Sequence, residues 1–317
     1  MRHSAEFACC GVLRVLVPLL PRRAVVVLSN IGGATVWLLA GELRRVALAN
    51  LDLAFGQSKS PAEKRRIGRA SFANFIRVGL DFFWSRRLNA GNWQRYMDFT
   101  APDMLISSEL IRRGKGVIGV TLHFGNWEWL GLGGGYQGMP LTIITEELQN
   151  PHLDRLVNRL RQASGNQLIY QRGAAPKVMR ALRKGQVVCI VMDTNAPAQW
   201  GGIWPNFFGL PAATSPVAAA LALRTGAPIV VSQCYPLPDG RYRLSYGPEI
   251  IVTPGEDTET NRLALTQKIM DVAEQIIREH PEHWLWMYKR WKRSPTDSTD
   301  GFPFYSKPAR DYNGDDE

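Results

Sequence analysis

Cysteine is scarce in this chain of 317 residues: Cys9, Cys10, Cys189 and Cys234 are the whole set. They form no C-x-x-C pair and no cysteine–histidine metal spacing, and adjacent Cys9 and Cys10 cannot readily bridge each other. Cys189 and Cys234 lie in apolar, strand-like runs where cysteine acts as a small hydrophobe. The pattern suits a reducing compartment and predicts neither a structural disulfide nor a metal. Acidic residues are short too, 28 against 38 basic, for a net charge of +10. From Ser294 onward there are six acidic and two basic residues, so the tail is −4 and residues 1–293 carry +14. Anionic partners are therefore expected: nucleic acid, phospholipid headgroups, an acidic carrier protein or a phosphorylated substrate. A long apolar run is also missing. Residues 24–40 give 17 without a charge, at the lower edge of bilayer-spanning length, and they include Asn30, Gly32 and Gly33. Arginines flank this run on both sides, so loop charge does not orient it. The preceding run, 11–21, ends in no clean small-x-small cleavage site. No internal repeat is visible.

What is present is an alternation. From Gly116 to about Ile250, strand-like and helix-like runs follow one another. The strands are expected at 116–122, 141–145, 186–193, 228–235 and 242–250, with a weaker one near 167–171. The helices are expected at 127–133, 152–163, 175–184, 215–225 and 259–280. This is an α/β pattern with a mainly parallel central sheet flanked by helices. Upstream, Ser60, Pro61 and Glu63 make a capping box for a basic helix rich in aromatics, which either faces an anionic membrane or packs on the core. Three regions result: 1–58 as an N-terminal membrane-anchoring segment of helical character, 59–293 as the main domain, and 294–317 as a disordered acidic tail. Gly133 to Gly138 fits G-x-G-x-x-G but follows a helix-like stretch, so it reads as a loop and not as a dinucleotide site.

The chemistry is placed at His123-Phe124-Gly125-Asn126-Trp127-Glu128. His123 closes the strand 116–122, where open α/β sheets put their ligands. Glu128 lies near the start of the next helix and can swing back to the same pocket. A histidine backed by a carboxylate removes a proton from a hydroxyl near neutral pH. Gly125 lets backbone approach a ligand closely.

The hexapeptide resembles the H-x4-(D/E) box of the glycerolipid acyltransferases, in the wording of the lipid A biosynthesis (late) acyltransferases. Other blocks follow in that family's order: Asn150-Pro151-His152-Leu153-Asp154, Gln171-Arg172-Gly173, the strand ending at Asp193, Trp204 to Thr214 with Phe207-Phe208-Gly209, and Pro281 to Arg293. The resemblance implies a glycerolipid acyltransferase-like fold on the cytoplasmic face of a bacterial inner membrane. It implies transfer of a fatty acyl group from an acyl-thioester, on acyl carrier protein or CoA, to a hydroxyl of a lipid A-type glycolipid precursor, with no cofactor. His123 would be the base and Glu128 would orient it. The oxyanion would meet backbone N–H groups near Gly125 and Asn126, or Arg172. Asp193 would position Arg172 or the acceptor, or cap the turn that follows it. Phe207 and Phe208 would line the acyl site or fill the core. No Ser or Cys sits beside the base, so no acyl-enzyme is required. One departure concerns the acceptor: Thr145-Glu146-Glu147 stands where the family commonly shows a Tyr-Arg-Pro-like segment. His283 is a second histidine with no carboxylate assigned to it.

The expected partners are acyl carrier protein, a glycolipid acceptor and membrane lipids. Nucleic acid is not expected, because the aromatic and cationic closing block has no nucleic-acid fold motif beside it. The alternatives are another lipid acceptor of the phosphatidylinositol mannoside or ornithine lipid type, a non-catalytic membrane-surface protein of the same fold, and a hydrolase that activates water.

Overall fold

The structure is a computed structural model that describes residues 10–100, 109–110, 112–196 and 201–309. A seven-stranded sheet forms its centre. The strands are β1 (Met97–Phe99), β2 (Val117–Thr121), β3 (Leu141–Thr145), β4 (Gln167–Tyr170), β5 (Val187–Val191), β8 (Ile229–Pro236) and β9 (Tyr242–Ile250), with a small hairpin, β6 (Asn206–Phe207) and β7 (Leu210–Pro211), outside the sheet. The order is β1-β9-β8-β2-β5-β3-β4. From β8 to β4 every neighbour is parallel, while β9 turns back antiparallel on β8. β2 is buried at every position, as expected of a central strand covered on both faces. The six strands drawn from the sequence are all found, and of the seven in this sheet only the short β1 was not foreseen.

The helices are α1 (Arg22–Leu39), α2 (Gly41–Phe55), α3 (Pro61–Trp84), α4 (Trp127–Tyr136), α5 (Pro151–Arg161), α6 (Ala175–Arg183), α7 (Val217–Thr225) and α8 (Glu259–Glu279). The capping box that opens α3 forms with both bonds present. α4 runs three residues further than expected, so Gly133, Gly134 and Gly135 are helical and the loop begins after Tyr136. Alternate residues of β2 and β5 divide the interior. Ile118, Val120, Val188 and Ile190 join the large core with residues of α6, α7 and α8. Val117, Gly119, Val187 and Cys189 face the side that α4 covers.

At the ends of the chain two expectations meet the structure. Among the described residues, no single helix is long and apolar enough to cross a membrane; α1 and the helical stretch after it pass only as a pair bent by 96°. One side of α1 packs on α3 through Val25, Ser29, Gly33 and Trp37. A Cβ on Gly33 would come within 2.4 Å of the Ala73 Cα, so glycine permits the close crossing. The tail is ordered as far as residue 309. β10 (Arg293–Ser294) pairs with β11 (Lys307–Pro308), Tyr305 donates its hydroxyl to Asn50 of α2, and Phe304 receives the Arg45 guanidinium on its face. Polar composition suggested disorder, but these aromatics anchor the segment; residues 310–317 of the expected tail lie outside the described residues.

Candidate active site

His123 and Asp193 each lie two residues past the end of a strand. β2 and β5 are parallel and in register from Val117↔Val187 to Thr121↔Val191. Continuing that register sets His123 opposite Asp193, and the amide of Met192 still donates to the Thr121 carbonyl at 3.0 Å. The Asp193 carboxylate accepts three hydrogen bonds: from the His123 amide at 2.8 Å, from His123 Nδ1 at 2.8 Å and from Trp284 Nε1 at 2.8 Å. A carboxylate only accepts, so Nδ1 carries the proton and Nε2 is left as the basic nitrogen. Asp193 is buried while a quarter of the His123 side chain is exposed, so the base opens outward from a fixed support. Burial works against the charged imidazole, but the Asp193 charge and hydrogen bond outweigh it and hold the His123 pKa above its ordinary value. Burial likewise opposes ionisation of Asp193, and the bonds from His123 and Trp284 overcome it, so its pKa lies below the usual carboxylate range.

The carboxylate partner of His123 is thus Asp193, and the expected His123–Glu128 pairing is corrected. Glu128 lies in the first turn of α4 and takes both oxygens to Arg161, from Nε at 2.9 Å and from Nη2 at 2.6 Å. Arg161 Nη1 also donates to Thr145 Oγ1 at 2.7 Å, at the end of β3. A guanidinium held by a bidentate carboxylate is fixed in orientation. Glu128 and Arg161 both line the cavity that His123 lines.

Other expected site residues have different work. Gly125 has φ +57°, and a Cβ there would fall 1.8 Å from the Cys234 carbonyl oxygen, so glycine serves approach to β8 and not to a ligand. Its amide donates to the His283 carbonyl at 2.8 Å, and that of Asn126 to the Cys234 carbonyl at 2.7 Å. Neither amide is open to an oxyanion. The Asn126 side chain is fully buried and caps α4 at the Trp129 amide. Arg172 is exposed, and its neighbours Gln171 and Gly173 line the cavity without it. Phe207 and Phe208 are buried in an aromatic cluster with Trp284, Trp286 and Trp291 and fill core. Glu146 does line the cavity. His283 is pushed down to about 4, chiefly by burial, and stays neutral at physiological pH.

The cavity measures about 1530 Å³. One arm runs under α4, floored by Gly119, Cys189 and Ile143 and roofed by Leu130, Gly131 and Gly134. Glycine lets α4 lie close on β3 at this wall: a Cβ on Gly131 would touch Ile143 at 3.3 Å, and one on Gly134 would touch Leu141 at 3.1 Å. The Cys189 thiol faces this arm, but burial pushes its pKa up to about 12, so it does not act as a nucleophile. A fixed imidazole beside an apolar slot can deprotonate a hydroxyl next to a bound fatty chain.

Comparison with known proteins agrees with this chemistry. A family model described as bacterial lipid A biosynthesis acyltransferase matches residues 1–293. The chain is 27% identical over 258 residues to the lipid A biosynthesis lauroyltransferase of Escherichia coli, and 25% identical over 256 residues to the lipid A biosynthesis palmitoleoyltransferase of that organism; each match covers 79% of both chains. It is 24% identical over 227 residues to the phosphatidylinositol mannoside acyltransferase of Mycolicibacterium smegmatis, covering 70% of this chain and 71% of that one.

Proposed function

The chain belongs to the bacterial lipid A biosynthesis acyltransferase family, and on that premise we propose that it moves a fatty acyl group from an acyl-thioester to a hydroxyl of a lipid A-type glycolipid precursor. The observation that carries the reading is the His123 imidazole, held through Nδ1 by Asp193 and opening on a large cavity with an apolar arm. His123 Nε2 takes the proton of the acceptor hydroxyl as the oxygen adds to the thioester carbonyl. Glu128 acts through Arg161, whose fixed guanidinium gives the cavity a cationic wall suited to a phosphoryl group of donor or acceptor. The apolar arm takes the acyl chain, each buried methylene contributing about 0.8 kcal/mol.

The donor is carried by acyl carrier protein or CoA and no cofactor takes part. The charge of +14 on residues 1–293 suits an acidic carrier, through an attraction that salt screens. The enzyme works at the cytoplasmic face of a bacterial inner membrane, held by the apolar outer face of its N-terminal helices. A phosphatidylinositol mannoside-type acceptor is the second reading, supported by the mycobacterial relatives and by acidic Glu146 in the cavity wall. Mass spectrometry of membrane lipids with and without the gene decides between them. We expect one acyl chain's difference on a lipid A-type species, restored by the unaltered gene but not by His123→Ala. The difference on a mannoside instead selects the second reading; no difference in any lipid removes both.

A further inference from the structure

The transfer proposed above leaves one charge unmet. When an alcohol oxygen adds to a thioester carbonyl, the carbonyl oxygen becomes an oxyanion, and donors preorganised at that point lower the barrier strongly. The amides of Gly125 and Asn126 already donate elsewhere, and Arg172 stands outside the cavity.

Tyr288 lines the same cavity as His123. Its phenolic oxygen accepts two hydrogen bonds from Asn195, from the backbone amide at 2.9 Å and from Nδ2 at 3.0 Å. A phenol has two acceptor sites and one proton. With both sites occupied, the proton points away from Asn195, and no described residue accepts it. Asn195 is itself fixed: Nδ2 donates also to the Lys289 carbonyl at 2.9 Å, and Oδ1 faces Arg290 Nη1 at 3.5 Å. It follows Asp193 by two residues, so their Cα atoms are at most about 7 Å apart. Arg290 is fully buried and has no carboxylate within ion-pair distance among the described residues; it is held by the Ala213 carbonyl at 2.6 Å and Thr214 Oγ1 at 2.5 Å. A buried cation behind Asn195 polarises the chain of bonds towards the phenol proton. The backbone is anchored as well, since Asn50 donates to the Tyr288 carbonyl at 2.8 Å.

We propose that Tyr288 is a catalytic residue whose O–H donates to the oxyanion of acyl transfer, an inference that rests on the function proposed above. His123 Nε2 removes the acceptor proton while the new C–O bond forms and the carbonyl π pair moves to oxygen. Tyr288 hydrogen-bonds that oxygen and keeps its own proton. As the carbonyl re-forms, the C–S bond breaks and the thiolate takes the proton from His123.

The test is steady-state transfer with an acyl-thioester and a lipid acceptor. Tyr288→Phe should lower kcat by about 10²–10³-fold, the cost of one oxyanion donor, with KM within twofold and thermal stability retained. Fluorinated tyrosines at position 288, whose phenols are more acidic, should restore turnover in order of acidity, a dependence that a packing role would not produce. Turnover of Tyr288→Phe within twofold of the unaltered protein, or a loss confined to KM, overturns the proposal while leaving the transferase reading intact. Loss on Arg161→Ala with Tyr288→Phe silent gives the role to the guanidinium. No transfer by the unaltered protein with any thioester or lipid removes both readings.

Discussion

Asp193 fixes the tautomer of His123, raises its basicity and is anchored by Trp284. Because the His123 pKa is raised, the neutral base appears only above the ordinary histidine value, so the acid limb of kcat/KM should lie above about pH 6.5. Asp193→Asn removes the stabilising charge and leaves burial, which lowers the pKa. The limb should then move to lower pH, and kcat should fall by about 10²–10⁴-fold because an amide can reverse the tautomer. A pH–rate profile of both proteins checks this, and an unmoved limb would sink the assignment. Each residue was legible as a polar strand end. Their pairing was not, because the order of strands in a sheet is not written along the chain, and the nearest carboxylate in sequence, Glu128, was taken for the partner. Arg161 and Tyr288 carried no separate signal, one at the end of a basic helix and the other inside an aromatic block.

At the scale of elements, α4 serves twice. Its first turn carries Glu128, and its glycines line an apolar slot against β2, β3 and β5. Gly131→Leu should fill that slot and shift preference to shorter acyl chains. Transfer of long chains should fall about fourfold in kcat/KM for each displaced methylene, from about 0.8 kcal/mol apiece. Competition between thioesters of different length measures it; an unchanged preference would place the chain elsewhere. The strands and most helix limits could be read from periodicity. The double role of the glycine run could not, since its use appears only when α4 lies on the sheet. The tail was misread for a similar reason: Phe304 and Tyr305 find partners far away in sequence, on α2.

The molecule as a whole shows apolar groups on the outside of its N-terminal helices. Leu19, Leu38 and Leu39 are 73%, 70% and 81% exposed, and Val27 and Ile31 also face outward. Such a surface, on a chain with excess positive charge, suits an anionic bilayer interface. Replacing Leu38 and Leu39 together by Glu should weaken binding to anionic vesicles by about a hundredfold or more, given roughly 1.5–3 kcal/mol per buried leucine. Sedimentation with vesicles checks it; equal binding would move the contact to another face. The apolar character of 24–40 was visible in the sequence, but composition did not reveal that one side of α1 is committed to α3. Asp193 and the turn after His123 are held by distant parts of the chain: the Asn74 side chain reaches the Gly125 carbonyl, the Cys234 carbonyl takes the Asn126 amide, the His283 carbonyl takes that of Gly125, and the Trp284 ring reaches Asp193. A ribosome-bound chain that has already exposed His123 has Asn74 but still lacks Asp193, Cys234, His283 and Trp284. A half-made chain therefore has no assembled site, which is complete only after the carboxyl-terminal portion has been synthesised and docked.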